Sequence, residues 1–217
     1  MKTGANVVSL NEVERYTGWG IEDQPARFAS LLEAKTGEPW HCNFAQRDGN
    51  ANGQGNLLLT TFAIESDDDY ELSHSRSVAR IAIIVNGIRV NLYSTHLDAD
   101  SSSRRASQIA ELTTWANNYA EQRIILGDFN AWSSSSEMSL MNSSYADAWA
   151  VAQSLDLDVA YEGNTSGRTR NTRIDYAFYS KQATRLTLKK AQVFDSRDST
   201  GVMPSDHRPL MTTFEVK

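Results

Sequence analysis

Apolar residues along this chain come in short runs, and the spacing within each run predicts strands more often than helices. Asn6–Leu10 is short and apolar, Asn56–Ile64 is apolar and rich in β-formers, and Val78–Val85 is a third such run. Ile88–Tyr93 alternates apolar with polar, the two-residue period of a strand with one buried face. Asn86-Gly87 between the last two runs is the strongest short hairpin signal, because both residue types tolerate positive φ. Ile124–Leu126, Ile174–Tyr179, Leu186–Val193 and Leu210–Val216 complete the strands. Helical patterns are rarer. Pro25–Lys35 predicts a helix that takes Pro in its first turn and stops at Gly37. Ile109, Leu112, Ala116 and Tyr119 share one helical stripe, and Ser101–Ser103 before them suit a helix start. Ser134-Ser135-Ser136-Glu137 fits a capping box opening another helix. Strands outnumber helices and are joined by hairpins, which predicts α+β or layered α/β with mixed sheets rather than a parallel doubly wound sheet.

The chain has 217 residues, 40% hydrophobic and 22% charged, as expected of a globular protein that folds as one domain over 1–217. No apolar run approaches the roughly 18 residues needed to cross a bilayer, so stable membrane insertion is not expected. The start, MKTGANVVSL, lacks the apolar core and cleavage site of a signal peptide. The expectation is a soluble protein, secreted or cytoplasmic. Cys42 is the only cysteine, which excludes an internal disulfide framework and a cysteine zinc cluster. The net charge of −6 offers no global attraction for nucleic acid or anionic membranes. A bound divalent cation would invert the field locally, so phosphate substrates remain compatible with it.

Chemistry concentrates where strands stop. Asn6–Leu10 runs into Asn11-Glu12-Val13, and the run through Tyr93 into Thr95-His96-Leu97-Asp98. Ile124–Leu126 runs into Gly127-Asp128-Phe129-Asn130, Arg173-Ile174-Asp175-Tyr176 opens another strand, and Ser205-Asp206-His207 leads into the last. Asp128 and Asn130, two apart, share a face if the strand continues through them; Gly, Asp and Asn equally suit a turn. Singly, each group has an ordinary structural reading: a solvated Glu12, a hydrogen-bonded His96, an Asp175 paired with Arg173, an Asp206 capping a turn. Jointly they supply carboxylates for a hard cation, two histidines for proton transfer and an amide to orient a phosphate.

In order and spacing, Leu10-Asn11-Glu12-Val13, Thr95-His96-Leu97, Gly127-Asp128-Phe129-Asn130, Arg173-Ile174-Asp175-Tyr176 and Ser205-Asp206-His207 resemble the endonuclease/exonuclease/phosphatase superfamily, the deoxyribonuclease I-like metal-dependent phosphodiesterases. The resemblance runs from about residue 6 to the end. It implies a four-layer α/β sandwich, two mixed sheets face to face with helices outside, and a catalytic cleft at one edge. The family's opening strand, with its asparagine, is missing or replaced here, so an open or differently filled edge is expected beside Asn6–Leu10. The resemblance implies Mg²⁺, with Mn²⁺ as a substitute, held by Glu12 with Asp206 as a second contact. It implies that Asp128 orients or deprotonates the attacking water and Asn130 holds phosphate and water. His207 would touch a non-bridging oxygen with Asp175 fixing its tautomer, and His96 would hydrogen-bond the phosphate or protonate the leaving oxygen. The activity implied is phosphodiester hydrolysis with DNA or RNA as the substrate. The alternatives are lipid or inositol phosphate headgroups, or a non-catalytic homologue with an impaired metal site.

Around these motifs, Arg168, Arg170 and Arg173 in Gly163–Arg173 read either as a phosphate-binding rim or as a solvated loop. Arg104-Arg105 with Gln108 read as a solvated helix face, and Trp19 and Trp132 as packed aromatics rather than stacking platforms. Asn56 follows a glycine-containing stretch and is expected to approach the site. Gln192–Ser205 is short and polar, and no apolar loop cluster near the motifs is expected, which favours nucleic acid over lipid.

Overall fold

The structure, a computed structural model of the chain, describes residues 3–217 except residue 162. Its centre is a six-stranded mixed sheet in the order β5 (Ile64–Leu72), β6 (Arg76–Val85), β7 (Ile88–His96), β8 (Arg123–Asp128), β11 (Asp175–Ser180), β9 (Tyr145–Asp147). All neighbours run antiparallel except β7 and β8, which are parallel and joined through helix α2 (Ser102–Ala116). The β6–β7 turn is Asn86-Gly87, with φ of 51° and 77°, as the hairpin signal requires. Ser101 caps α2 by accepting from Arg104 N.

One face of this sheet carries α2 and α3 (Met138–Ser144), whose Ile109, Leu112 and Met141 pack with Tyr93, Ile125, Phe129 and Phe178. The other face meets two smaller sheets. The first is antiparallel: β2 (Gly20–Asp23), β1 (Val7–Thr17), β4 (Gly53–Thr60), β3 (His41–Gln46). The second is β10 (Asp158–Val159), β12 (Leu186–Val193), β13 (Leu210–Val216). Leu58, Ile81, Leu92, Ile124 and Leu186 lie between these sheets and the six-stranded one, joined by Val7, Phe214 and Val216. Helix α1 (Gln24–Thr36) covers the outer face of the first small sheet through Phe28 and Leu32 on Leu57 and Leu59, and α4 (Ala148–Ser154) packs Trp149 among Leu188 and Val193.

The expected layers are therefore present, except that the facing β layer is split in two. Along Val7–Leu10, β1 has β4 on one side; β2 reaches the other side only at Arg15–Thr17, and β13 pairs only with β12 among the described residues. The open edge expected beside Asn6–Leu10 is this gap. Burial records it: no residue of β13 is fully buried, and in β1 only Val13 is.

Several local expectations are corrected. β1 does not stop at Leu10 but continues to Thr17 through a bulge between Leu10 and Val13. Asn56–Ile64 is not one strand: β4 ends at Thr60, and β5 follows with the acidic run Asp67–Asp69, whose polarity hid it. That strand is a sheet edge, where charge discourages pairing with another chain. The Ser134–Glu137 capping box does not form. α3 has Glu137 at its N-cap with no side-chain cap, because the Glu137 carboxylate is buried in an ion pair with Arg105 at 2.7 Å. Arg105 and Gln108 are accordingly buried rather than on a solvated face, and Gln108 accepts from Asp98 N and donates to Ser73 O. Trp19 and Trp132 are exposed, not packed, and Trp19 (92%) stands with Tyr16 and Ile21 (94%) at the β1–β2 hairpin. This is the apolar loop cluster that the sequence was not expected to carry.

Candidate active site

Strand register builds the centre of the site. His96 ends β7, Asp128 ends β8 and Asp175 starts β11; His96 pairs with Asp128, and Asp128 with Asp175. Residues directly opposite across neighbouring strands put their side chains on the same face about 5 Å apart. One row across three strands thus presents an imidazole and two carboxylates together. β8 fits here only because residue 127 is glycine: its φ is 144°, and a Cβ would lie 1.9 Å from Thr95 O.

The fourth member comes from the loop before β13. His207 Nδ1 lies 2.8 Å from Asp175 Oδ2, and its Nε2 lies 4.0 Å from Asp128 Oδ2. His96 Nε2 approaches the same Asp128 oxygen at 3.7 Å. Asp128 Oδ2 is thus flanked by two imidazoles. Its other oxygen accepts from Asn130 N at 2.7 Å. The strand stops at Asp128, and Asn130 has a φ of 48°. Asp128 therefore shapes the turn with one oxygen and faces the cleft with the other, so the two readings of this stretch are not exclusive. Asn130 Nδ2 donates to Leu97 O.

Burial dominates the titration of this cluster. Desolvation, with Asp175 nearby, pushes the Asp128 carboxyl up to about 6. Desolvation, with Arg76 and His207 adding to it, pushes His96 down to about 4. The Asp175 hydrogen bond holds His207 above the ordinary imidazole value.

Glu12 reaches the same region from β1. It sits on the bulge with a φ of 57°, an unusual conformation for a non-glycine residue, and lines a small cleft with His96, Arg76 and Asn56. A bulge re-aims a side chain out of strand alternation. Asp206 goes elsewhere: its side chain is 69% exposed and paired with Arg170 at 2.8 Å. Asp128, Asp175 and His207 hold ligand atoms within 4.8 Å of one another. His207 Nδ1 is engaged by Asp175 at 2.8 Å, whereas its Nε2 stays 4.0 Å from Asp128 and makes no hydrogen bond to it, so only the Asp175–His207 pair is linked directly. The Glu12 carboxylate suits a hard, oxygen-preferring cation.

Of the three loop arginines, Arg173 is excluded from the rim. It is nearly buried, paired with Asp147 at 2.6 Å and stacked over the Tyr176 ring. Arg168 and Arg170 do line an open pocket. Three supporting residues escaped emphasis in the sequence. Asn11 donates from Nδ2 to Asn56 Oδ1 and Thr95 O, and its Oδ1 accepts from Asp128 N. Buried Thr169 accepts from Asp175 N with its hydroxyl and from Arg208 N with its carbonyl. Arg76 faces His96 electrostatically. Only the position of Asn11 beside Glu12 in a motif pointed to any of them.

The sequence model of the Endonuclease/Exonuclease/phosphatase family matches residues 2–207. No curated protein matches the sequence. Among solved structures, the chain is similar to the catalytic domain of human nocturnin with a bound sulfate anion, at a TM-score of 0.74 and 20% identity over 99% of this chain and 82% of that one. It is similar to TDP2 of D. rerio complexed with single strand DNA product, at 0.69 and 16% over 98% and 87%. A mannosyl-6-phosphatase of Bacteroides thetaiotaomicron aligns at 0.68 and 14% over 96% and 85%.

Proposed function

Because the chain belongs to the endonuclease/exonuclease/phosphatase family, whose members are metal-dependent phosphoric ester hydrolases, we propose that it hydrolyses phosphodiesters of nucleic acid with the help of Mg²⁺ or Mn²⁺. The observation that carries this reading is the isolated Asp128 oxygen flanked by two imidazole nitrogens at 3.7 and 4.0 Å, one of them belonging to a ring held by Asp175 at 2.8 Å.

Asp128, poised near neutrality by burial, accepts the proton of the attacking water as a general base or orients that water by hydrogen bonding. His207 donates Nδ1–H to Asp175, and because that bond favours the protonated ring, its Nε2–H donates to a non-bridging phosphate oxygen. With its affinity for protons lowered, His96 is neutral near pH 7, which favours hydrogen-bond donation to the phosphate over protonation of the leaving oxygen. Asn130 keeps one amide hydrogen beyond its bond to Leu97 O, available to the phosphate or the water. Glu12 would hold the cation; Asp206 would join only by releasing Arg170. When bound, the cation supplies charge neutralisation at the phosphate and polarises an oxygen.

Family neighbours that differ in substrate leave the choice of ester to this chain's own surface. Open arginines beside His207 favour a polyanion. The exposed Tyr16, Trp19 and Ile21 hairpin supports a second reading, in which a lipid phosphodiester is met at an interface. Plasmid DNA, single-stranded oligonucleotides, sphingomyelin vesicles and inositol phosphates assayed at matched Mg²⁺ separate these. We expect DNA or RNA cleavage that excess EDTA abolishes and added Mg²⁺ restores. Undiminished turnover in EDTA removes the metal; vesicle hydrolysis without nicking replaces the substrate.

A further inference from the structure

Next to the catalytic cluster lies a cavity of about 340 Å³ lined by Arg168, Arg170, Arg197, Arg208, Tyr161 and Asn164. Four guanidiniums share its wall. Two carry carboxylate partners, Asp206 on Arg170 and Asp195 on Arg197, and among the described residues no carboxylate pairs with Arg168 or Arg208. Arg208 Nε is buried without a hydrogen-bond partner. In a protein of net charge −6, the excess of cations over carboxylates among the described residues of this open pocket is a local reversal of sign.

The pocket is also built. Asn164 is buried and fixes the loop by accepting from Arg168 N and donating to Arg168 O. Arg208 Nη1 donates to Arg170 O, and Arg208 N to Thr169 O. Thr169 in turn accepts from Asp175 N with its hydroxyl, so one residue joins the pocket wall to the Asp175–His207 pair. Arg208 follows His207 directly, which sets their Cα atoms about 3.8 Å apart.

We infer that this pocket is a subsite for a second phosphate group of the substrate, so that the enzyme selects esters that carry another phosphate beside the one cleaved. This deepens the reading of the site as a phosphodiesterase and rests on it. Guanidiniums match phosphate oxygens in planar, two-point geometry. The volume falls at the small end of ligand pockets, roughly 300–1,000 Å³, and exceeds the needs of a lone ion; it accommodates a phosphate with part of the group that bears it. Tyr161, whose ring lies 5.9 Å from the Arg208 guanidinium, offers that group an aromatic wall. The second phosphate can come from the next nucleotide of a strand or from a small bisphosphate, and the test separates the two.

Two substrate pairs are assayed with Mg²⁺: the dinucleotide TpT against its 5′-phosphorylated form, and glycerophosphoinositol against glycerophosphoinositol 4-phosphate. In at least one pair the more phosphorylated member should have the higher kcat/KM by about tenfold, and the pair that shows it identifies the source. In the Arg168→Gln/Arg197→Gln double variant that ratio should fall toward one. Because it is a ratio on one preparation, general loss of activity cancels. Ratios near one in the wild type, with hydrolysis proceeding, overturn the subsite and leave the phosphodiesterase reading intact. Pyrophosphate titrated calorimetrically into the protein in EDTA decides the matter without turnover. Binding that weakens about tenfold in the double variant supports the subsite even if no ester is cleaved. Absent binding, or equal binding by both proteins, overturns it.

Discussion

His96, Asp128 and Asp175 come from three neighbouring strands inside the six-stranded sheet, whereas Glu12 and His207 come from the divided layer that faces it. The first group is set by register: each residue is opposite its neighbour, and the sheet beneath contains Ile125, Tyr93 and Phe178, all fully buried. The second group is set by exceptions. Glu12 is turned by a bulge on a strand with one open flank, and His207 sits in a loop ahead of a strand none of whose residues is fully buried. Asp128, proposed as the base, and Asp175, which holds His207, are thus on the rigid side, set by the buried sheet. Glu12, proposed as the cation's ligand, and His207, proposed to face the phosphate, are on the side with the open flank. A cleft made this way can keep its proton chemistry fixed while it accepts substrate from the looser wall.

The sharpest way to break this comparison is to remove the imidazole that the looser layer contributes. His207→Ala should lower kcat by about a thousandfold, within the usual range for a lost proton-handling group, which corresponds to roughly 4 kcal/mol of barrier. His207 is part-buried and its side chain bonds only Asp175, so the far-UV spectrum and melting profile should remain those of a folded protein. A loss below about tenfold would take His207 out of the essential set and leave catalysis to the rigid side alone.

The same division decides how much was legible in the sequence. Strands whose apolar runs are buried on both faces, such as Val78–Val85 and Ile124–Leu126, were located to within a few residues, because their pattern is set by the core they enter. β5 was missed because an edge strand carrying Asp67, Asp68 and Asp69 lacks that pattern, and β3 and β2 because their burial is partial. The motifs contain His96, Asp128, Asp175 and His207, which the fold brings together, but the long-range partners of the other candidates are not encoded in local spacing. Asp206 and Arg170 are 36 positions apart, and their ion pair separates Asp206 from the carboxylates with which it was grouped. Arg173 was grouped with the rim by sequence proximity, yet the chain reverses and sends it to Asp147. Arg105 illustrates the same point from the interior: its partner Glu137 comes from another helix start, so a residue that reads as surface charge is core.

On the rigid side, burial leaves two opposed signatures in the pH dependence of stability. Asp128 has its folded value raised from 3.8 to about 6, so its contribution is present at low pH and is lost as pH rises through 6. His96 has its folded value lowered from 6.5 to about 4, so the fold loses stability as pH falls from 6.5 toward 4. Each amounts to about 3 kcal/mol at 1.36 kcal/mol per pH unit, and between pH 4 and 6.5 they oppose each other. His207 stays out of this window, since a raised histidine contributes fully below its unfolded value. In EDTA, the His96→Gln protein should lose stability relative to wild type as pH rises from 4 to 6.5, and the Asp128→Asn protein should gain it. Melting temperatures across that range test this. Relative slopes of the same sign in both variants would show that the two groups do not titrate as their burial requires.

The smallest effect expected is at the seam between the two layers. Asn11 comes from the looser one, beside Glu12, and its side chain bonds Asp128 N, Thr95 O and Asn56 Oδ1 at 3.1, 3.0 and 2.7 Å. Those bonds tie the bulge of β1 to the strand ends that carry Asp128 and His96. Asn11→Ala leaves a part-buried donor and acceptors without partners, which costs about 1–2 kcal/mol of stability. Because Asp128 N then loses its anchor, the base also shifts relative to the histidines, and kcat should fall by about tenfold through misplacement. Asn11→Gln retains the amide on a longer stem and should recover more of the rate than of the stability, since the seam can open to admit one methylene while the rigid strands cannot. Denaturant titration and kcat on one substrate measure both quantities. If Asn11→Ala melts and turns over like the wild type, the two sides of the cleft are held together by packing alone, and Asn11 is not the link between them.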